Sequence, residues 1–269
     1  MPLTLERIIL QSFTVVGLGE FPLVKVGDDL TRIIVETARR NKVSIEDGDI
    51  ILVSQKVVSK AEGRLANLSN VEPSEKAREI AAKTEKDARF VELVLRETER
   101  IVKAVPGFLV VKDNRGWVCL NAGVDKSNVA SQDGVGVSLL PIDPDESARL
   151  IRRGLVRLTG KRVAVIVCDT YSRPFRRGQT EFAIGVSGVK VFRDYRGEKD
   201  LFSYVLQVKN VAVVDELACA AELLMGQGNE AVPVAIVKGW KRAELCEESE
   251  SSIRELQLAE HEDFFEGTL

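Results

Sequence analysis

VIVCDTYSRPFRRGQT (Val165–Thr180) starts as a run of apolar residues and turns polar at Asp169 and Thr170. With the preceding KRVA it reads as a buried strand, and Asp169 falls where such a strand leaves the core. Arg173, Arg176 and Arg177 follow within a few positions. Arginine forks match phosphate or carboxylate oxygens, and a carboxylate beside them can hold a hard divalent cation. The plainer alternatives are a turn-capping aspartate and a solvated basic loop.

Working outward, DPDESARLIRRGLVRLTG (143–160) has an acidic start, apolar residues at helical spacing and a glycine stop, so a helix feeds this strand. GDDLTRIIVETARRNK (27–42) predicts another helix, capped by Asp28 or Asp29. GDIILVSQKVVSKAEG (48–63) begins as a strand and becomes polar from Ser54, a candidate site loop. Residues 73–103 read as charged helix, broken near 85–87. Two strands are expected in 107–124, about a turn at Asn114–Gly116. Next come a strand over 206–213, a helix over 215–225 and a strand in VPVAIVKGW (232–240). Because the strands do not alternate regularly with single helices, a mixed α+β fold is expected rather than a doubly wound sheet.

No repeat and no Pro/Gly/Ser linker divides the chain. Residues 1–245 are therefore read as one catalytic region, which two subdomains could make up, and 246–269 as an acidic C-terminal tail, helical or partly mobile. The net charge of −3 carries no basic excess for nucleic acid. No run of about 18 apolar residues suggests a membrane span, and MPLTLERIIL lacks a cleavage signal, so a cytoplasmic protein is expected. Cys119, Cys168, Cys219 and Cys246 are too scattered for a zinc ribbon or disulfide framework. The one histidine, His261, lies in the acidic C-terminal stretch, which argues against histidine triads, dyads and HExxH zinc chemistry.

Three polar segments follow core elements: 121–128, 169–179 and 225–230. Asp125 and Asp169 could share a divalent ion, with neutral oxygens from Thr170 and Gln227. Lys56, Lys60 and Arg64 recur at intervals of four, either toward phosphate or as the basic face of a helix. There is no GxxxxGK[ST] motif, so a nucleotide would bind without a P-loop.

GEFPLVKVGDDL, GDIILVSQKVVSKAEGR, NAGVDKSNV, CDTYSRPFRRGQTEFAIGVSGV and LLMGQGN, in this order from about Gly17 to Gly239, resemble the coenzyme F420-0:L-glutamate ligase family. The resemblance implies an intertwined α+β homodimer. It implies a GTP-dependent acid–amino-acid ligase that adds L-glutamate to F420-0, then a second glutamate by a γ-linkage, through an acyl phosphate. Phe21, Pro22, Leu23, Val24, Gln55, Lys56, Lys60 and Asn128 would contact GTP. Asp125, Asp169, Thr170 and Gln227 would surround Mg²⁺ or Mn²⁺, two per site, with K⁺ as an optional further ion, and Asp125, Asp169, Arg176 and Arg177 would serve catalysis. Two positions depart from some relatives: Gln55-Lys56 replaces a serine-threonine pair, and Gln227 replaces a glutamate, which implies a weaker second ion. The alternatives are the same chemistry on another carboxylate acceptor, or a metal- and nucleotide-binding paralogue without ligase activity.

Overall fold

The computed structural model describes residues 12–129, 135–240, 244–259 and 262. The amino-terminal stretch read for a leader and His261 lie outside these residues. In chain order the elements begin with β1 (Thr14–Gly17), α1 (Leu30–Arg40), β2 (Ile50–Ser54), α2 (Gln55–Ala61) and β3 (Leu65–Asn67). Then come α3 (Glu75–Thr84), α4 (Ala88–Arg96), β4 (Thr98–Val105), β5 (Phe108–Asp113), β6 (Val118–Leu120) and β7 (Gly136–Ser138). The second half contains α5 (Pro144–Thr159), β8 (Ala164–Ser172), β9 (Gln179–Ser187), β10 (Phe192–Asp194), β11 (Asn210–Ala212), α6 (Val213–Met225) and β12 (Val234–Lys238).

The central sheet runs β1-β12-β2-β8-β9, and only β2 and β8 pair in parallel. Its two faces are both covered, which is why IILV and VIVC read as unbroken apolar runs. Ile51, Val53, Val165 and Val167 pack under α1 and α5 through Ile34, Ala38, Ile151 and Leu155. Leu52, Ile166, Ala235 and Val237 pack on the other side against Val214, Leu217 and Ala221 of α6. Helix α5 lies so close to the sheet that a Cβ on Gly185 would collide with the Pro144 carbonyl. A third core joins α3 and α4 to the β4-β5-β6 sheet through Ile80, Phe90, Val94, Leu109 and Val111. The mixed α+β architecture expected from the irregular strand spacing is therefore present.

Local signals acted largely as expected. Asp29 caps α1 by accepting from the Arg32 N–H, and Asp143 caps α5, which stops at the left-handed Gly160. The break between α3 and α4 falls at Glu85, left-handed at φ 56°, and Asp87 caps the new helix.

Four local readings need correction. The polar segment after Ser54 is the helix α2, because the Ser54 hydroxyl accepts from the Lys56 N–H and caps its first turn. Helix does not continue to Lys103: TERIVKAV forms β4, which pairs with β5 in an antiparallel ladder, with register shifts between Thr98 and Arg100 and between Ile101 and Lys103, and this pairing outweighs local helix propensity. The 206–213 strand shrinks to β11, and α6 begins two residues earlier, at Val213. Asp169 does not end its strand, since β8 continues to Ser172 and forms a long hairpin with β9, which was not foreseen. The acidic carboxy-terminal stretch makes two 3₁₀ turns, and Ile253 packs on the α6 side of the sheet. Buried Asp145 holds it there, accepting from the Ser252 hydroxyl and the Ile253 N–H.

Candidate active site

Past the carboxy-terminal ends of β2 and β8 lies a cavity of about 630 Å³. Its wall combines Phe21–Val24, the first turns of α2, residues 119–128, the β8–β9 hairpin and the loop 225–233. All three polar segments picked out in the sequence thus meet in one place.

Each wall is shaped by a local device. In the 121–128 segment, Asn121, Ala122 and Asn128 all hold left-handed backbone, at φ 53°, 52° and 54°. Such conformations cost a non-glycine residue roughly 1 kcal/mol or more each and persist where surrounding contacts enforce them. The loop after α6 turns on Gly226 at φ 67°, where a Cβ would run into the Glu230 carboxyl. Glu230 folds back to accept from the Gly228 N–H at 2.8 Å, and the Asn128 amide donates to the Gly228 carbonyl at 3.2 Å. Residues a hundred apart in sequence thereby close one rim.

Asp125 sits at the centre of a compact hydrogen-bond cluster. Its Oδ1 accepts from the Ser127 N–H at 2.8 Å, and its Oδ2 accepts from the Lys56 ammonium and the Ser127 hydroxyl, each at 2.6 Å. Burial opposes ionisation here, but these donors outweigh it and hold Asp125 below the usual carboxylate range. Asp169 goes the other way. Burial raises it to about 6, the Asp125 charge adds to the rise, and the Thr170 N–H, the Lys56 charge and a Gln55 hydrogen bond offset only part.

Lys56 and Lys60, one helical turn apart, both line the cavity, so the basic face of α2 looks inward rather than into bulk solvent. Burial and the Lys56 charge lower the Lys60 pKa. Arg64, the third member of the spacing, instead leaves to pair with Glu97 at 2.7 Å. Gln55 does not reach the cavity. It is buried behind Asp169 and accepts from the Ser59 hydroxyl at 2.8 Å. Arg176 and Arg177 are exposed in the hairpin turn and do not line the cavity, while the Arg173 guanidinium donates to the Arg177 carbonyl at 3.4 Å. Phe21 and Val24 are buried, whereas Leu23 is 88% exposed at the mouth.

Glu181 escaped the sequence reading. It lies on β9 directly opposite Thr170, is only 2% exposed, and lines the cavity. Its Oε2 accepts from the Thr170 hydroxyl at 3.0 Å and the Gln227 amide at 3.4 Å. Burial, then the Asp169 charge, raises it to about 7. One signal was available: a lone acid in the otherwise apolar EFAIGV, two residues after Gln179.

Among the described residues, no three His, Cys, Asp or Glu side chains converge to hold a metal by themselves. The donors present are carboxylate, hydroxyl and amide oxygens, and the Lys56 ammonium already shows a cation position on Asp125. Such a set fits Mg²⁺ or Mn²⁺, which take one or two carboxylates and complete their shell with water and phosphate oxygen.

The profile of the F420-0:Gamma-glutamyl ligase family matches residues 19–239, a span that includes every residue lining the cavity. The chain belongs to this family. Among its relatives, the Coenzyme F420:L-glutamate ligase of Archaeoglobus fulgidus is 46% identical over 253 residues, 94% of this chain and 95% of the relative. The protein of the same name from Methanothermobacter thermautotrophicus is 41% identical, covering 95% of this chain and 100% of its own length. That from Methanopyrus kandleri is 48% identical over 81% of this chain and 83% of its own. The resemblance read from the motifs is thus borne out, and the matched span holds four of the five central strands, β12, β2, β8 and β9, and the sheet formed by β4, β5 and β6.

Proposed function

We propose that this protein is a GTP-dependent ligase that joins L-glutamate to coenzyme F420-0 and then adds a second glutamate through a γ-linkage. The observation that carries this reading is a single cavity, in a chain of this family, where paired aspartates face two lysines. The names of the relatives supply the acceptor and the amino acid. Nucleotide, metal and mechanism follow from the motif resemblance and from what the cavity can do chemically.

In this reading the terminal carboxylate of F420-0 attacks the γ-phosphorus of GTP. The bond to the bridging oxygen breaks, GDP leaves, and an acyl phosphate forms. The glutamate amine then adds to the acyl carbon and loses a proton, and inorganic phosphate departs as the amide forms. Lys56 and Lys60 orient the polyphosphate and balance its charge. Asp125, Asp169, Thr170 and Gln227 would hold the divalent ions, and Gln55 keeps the Asp169 carboxylate in place from behind. When bound, such ions neutralise charge on the transferring phosphoryl group. Arg176 and Arg177, exposed at the hairpin turn, would meet the anionic substrates as these enter.

A homodimer is part of the proposal. The excursion between β10 and β11 carries Leu201, Phe202 and Val208, each 88% exposed, an apolar surface that a second copy would cover. A cytoplasmic location is also proposed, and no helix among the described residues is long and apolar enough to cross a membrane.

The test is to incubate purified protein with F420-0, GTP, Mn²⁺ and L-glutamate and to identify the product by mass spectrometry. Mono- and diglutamylated F420 with stoichiometric GDP is the expected result. GDP release without a glutamylated product would instead support another acceptor, and no turnover at all a paralogue that only binds.

A further inference from the structure

The Lys56 ammonium lies 2.6 Å from Asp125 Oδ2 and 2.5 Å from the Ser127 hydroxyl. With the Ser127 hydroxyl, this contact takes up both lone pairs of Asp125 Oδ2, while Oδ1 uses one lone pair to accept from the Ser127 N–H. A divalent ion would approach Oδ2 to about 2.0–2.2 Å, which sets two cations on one oxygen. Their repulsion, in a cleft where the lysine side chain is only 18% exposed, favours one cation over two on that oxygen.

We propose that Lys56 is a stand-in cation: its ammonium holds Asp125 until a divalent ion displaces it, and the released ammonium then turns to the nucleotide phosphates. The idea rests on the proposed role of Asp125 as a metal ligand. The stem is suited to the move, since Lys56 lies in the first turn of α2 and its four methylenes let the charge swing while the helix stays fixed. A destination is also present. Lys60 lies one turn further along α2 and lines the same cavity, and no ion pair holds it among the described residues. Together the two lysines would face a polyphosphate.

The consequence is a linkage between ligands. Metal must displace Lys56, and polyphosphate draws Lys56 away from Asp125, so each ligand favours the other. Removing the ammonium should therefore strengthen metal binding in the absence of nucleotide and reduce the coupling.

The experiment titrates Mn²⁺ against the full-length protein and reads the free-ion electron paramagnetic resonance signal, with and without a non-hydrolysable GTP analogue. Lys56→Met should bind Mn²⁺ about tenfold more tightly than the wild type without nucleotide, and the analogue should improve its Mn²⁺ affinity by a smaller factor. Lys60→Met removes an equal charge from the same helix face without touching Asp125, and should change Mn²⁺ affinity much less. Equal tightening in both variants would reduce the effect to a general field and overturn the proposal, as would unchanged or weaker binding in Lys56→Met. Lys56→Gln should repeat the Lys56→Met result and serves in its place if the methionine variant folds poorly. Asp125→Asn separates the two levels of the argument. Wild-type Mn²⁺ affinity in that variant would remove the metal assignment itself, whereas weakened binding there beside an unaltered Lys56→Met would remove only the stand-in role.

Discussion

Thr170 and Glu181 stand opposite each other across the β8–β9 hairpin, and the threonine hydroxyl donates to Glu181 Oε2 at 3.0 Å. The Gln227 amide reaches the same oxygen at 3.4 Å. A buried carboxylate therefore joins two neutral groups proposed as metal donors. The carboxyl that Gln227 lacks, compared with a glutamate there, stands beside it on Glu181.

Glu181 and Asp169, raised to about 7 and about 6, give the metal-free protein a defined pH response. Both values lie above those of an unfolded chain, so between roughly pH 4 and 7 the folded state binds more protons than the unfolded one. Stability should fall as pH rises through that window and level off above it. Calorimetric Tm values from pH 4.5 to 8 in chelator should show this decline, and Glu181→Gln should make it shallower. An identical slope in the variant would show that Glu181 does not hold its proton in the folded state.

Asp125→Asn and Asp169→Asn should each lower ligation about a hundredfold or more while leaving the fold intact, because they remove charge at the cavity wall and not core volume. The measurement is turnover at saturating Mn²⁺, with circular dichroism as the control. Near-normal turnover in either variant would remove that residue from the metal site.

Lys60 faces the cavity, so Lys60→Ala should raise the KM for GTP about tenfold and the KM for glutamate little. Steady-state kinetics with each substrate varied in turn decides it. Equal rises would point to a structural role for the lysine.

Gln227→Glu would set a second carboxylate against Glu181, a like-charge contact that only a cation or a proton relieves. The variant should have a lower Tm in chelator than the wild type, a larger Tm rise on adding Mn²⁺, and a lower Mn²⁺ concentration for half-maximal activity. The maximal rate need not increase, since tighter ground-state binding does not stabilise the transition state. An unchanged Mn²⁺ requirement would place Gln227 outside the metal sphere.

Much of the site was legible because its residues sit in local patterns. Asp169 and Thr170 follow an apolar run, and Asp125 and Asn128 follow a strand-and-turn signal. Lys56 and Lys60 keep a helical interval. Such patterns are properties of neighbouring residues, and they survive whatever the rest of the chain does. Glu181 was not legible in this way, because its environment comes from Thr170 on the partner strand and Gln227 in a distant loop. The position of the arginines was not legible for the same reason: close in sequence to Asp169, Arg176 and Arg177 are carried by the hairpin to its exposed turn and not onto the cavity wall.

By itself, then, the sequence determined the apolar runs that must be buried, the caps and glycines that end helices, and the motifs that place the chain in its family. Those depend on short-range sterics and hydrophobic period. Only the tertiary structure decided that TERIVKAV is a strand and that α2 turns its lysines inward. It also decided that Asp169 and Glu181 are raised while Asp125 is lowered. The reason is physical. Backbone pairing, burial and the distance between charges are set by which remote segments pair, and here the parallel β2–β8 pair brings Lys56 and Asp169 to one cavity, where Asp125, bridged through its backbone to Ser138, joins them.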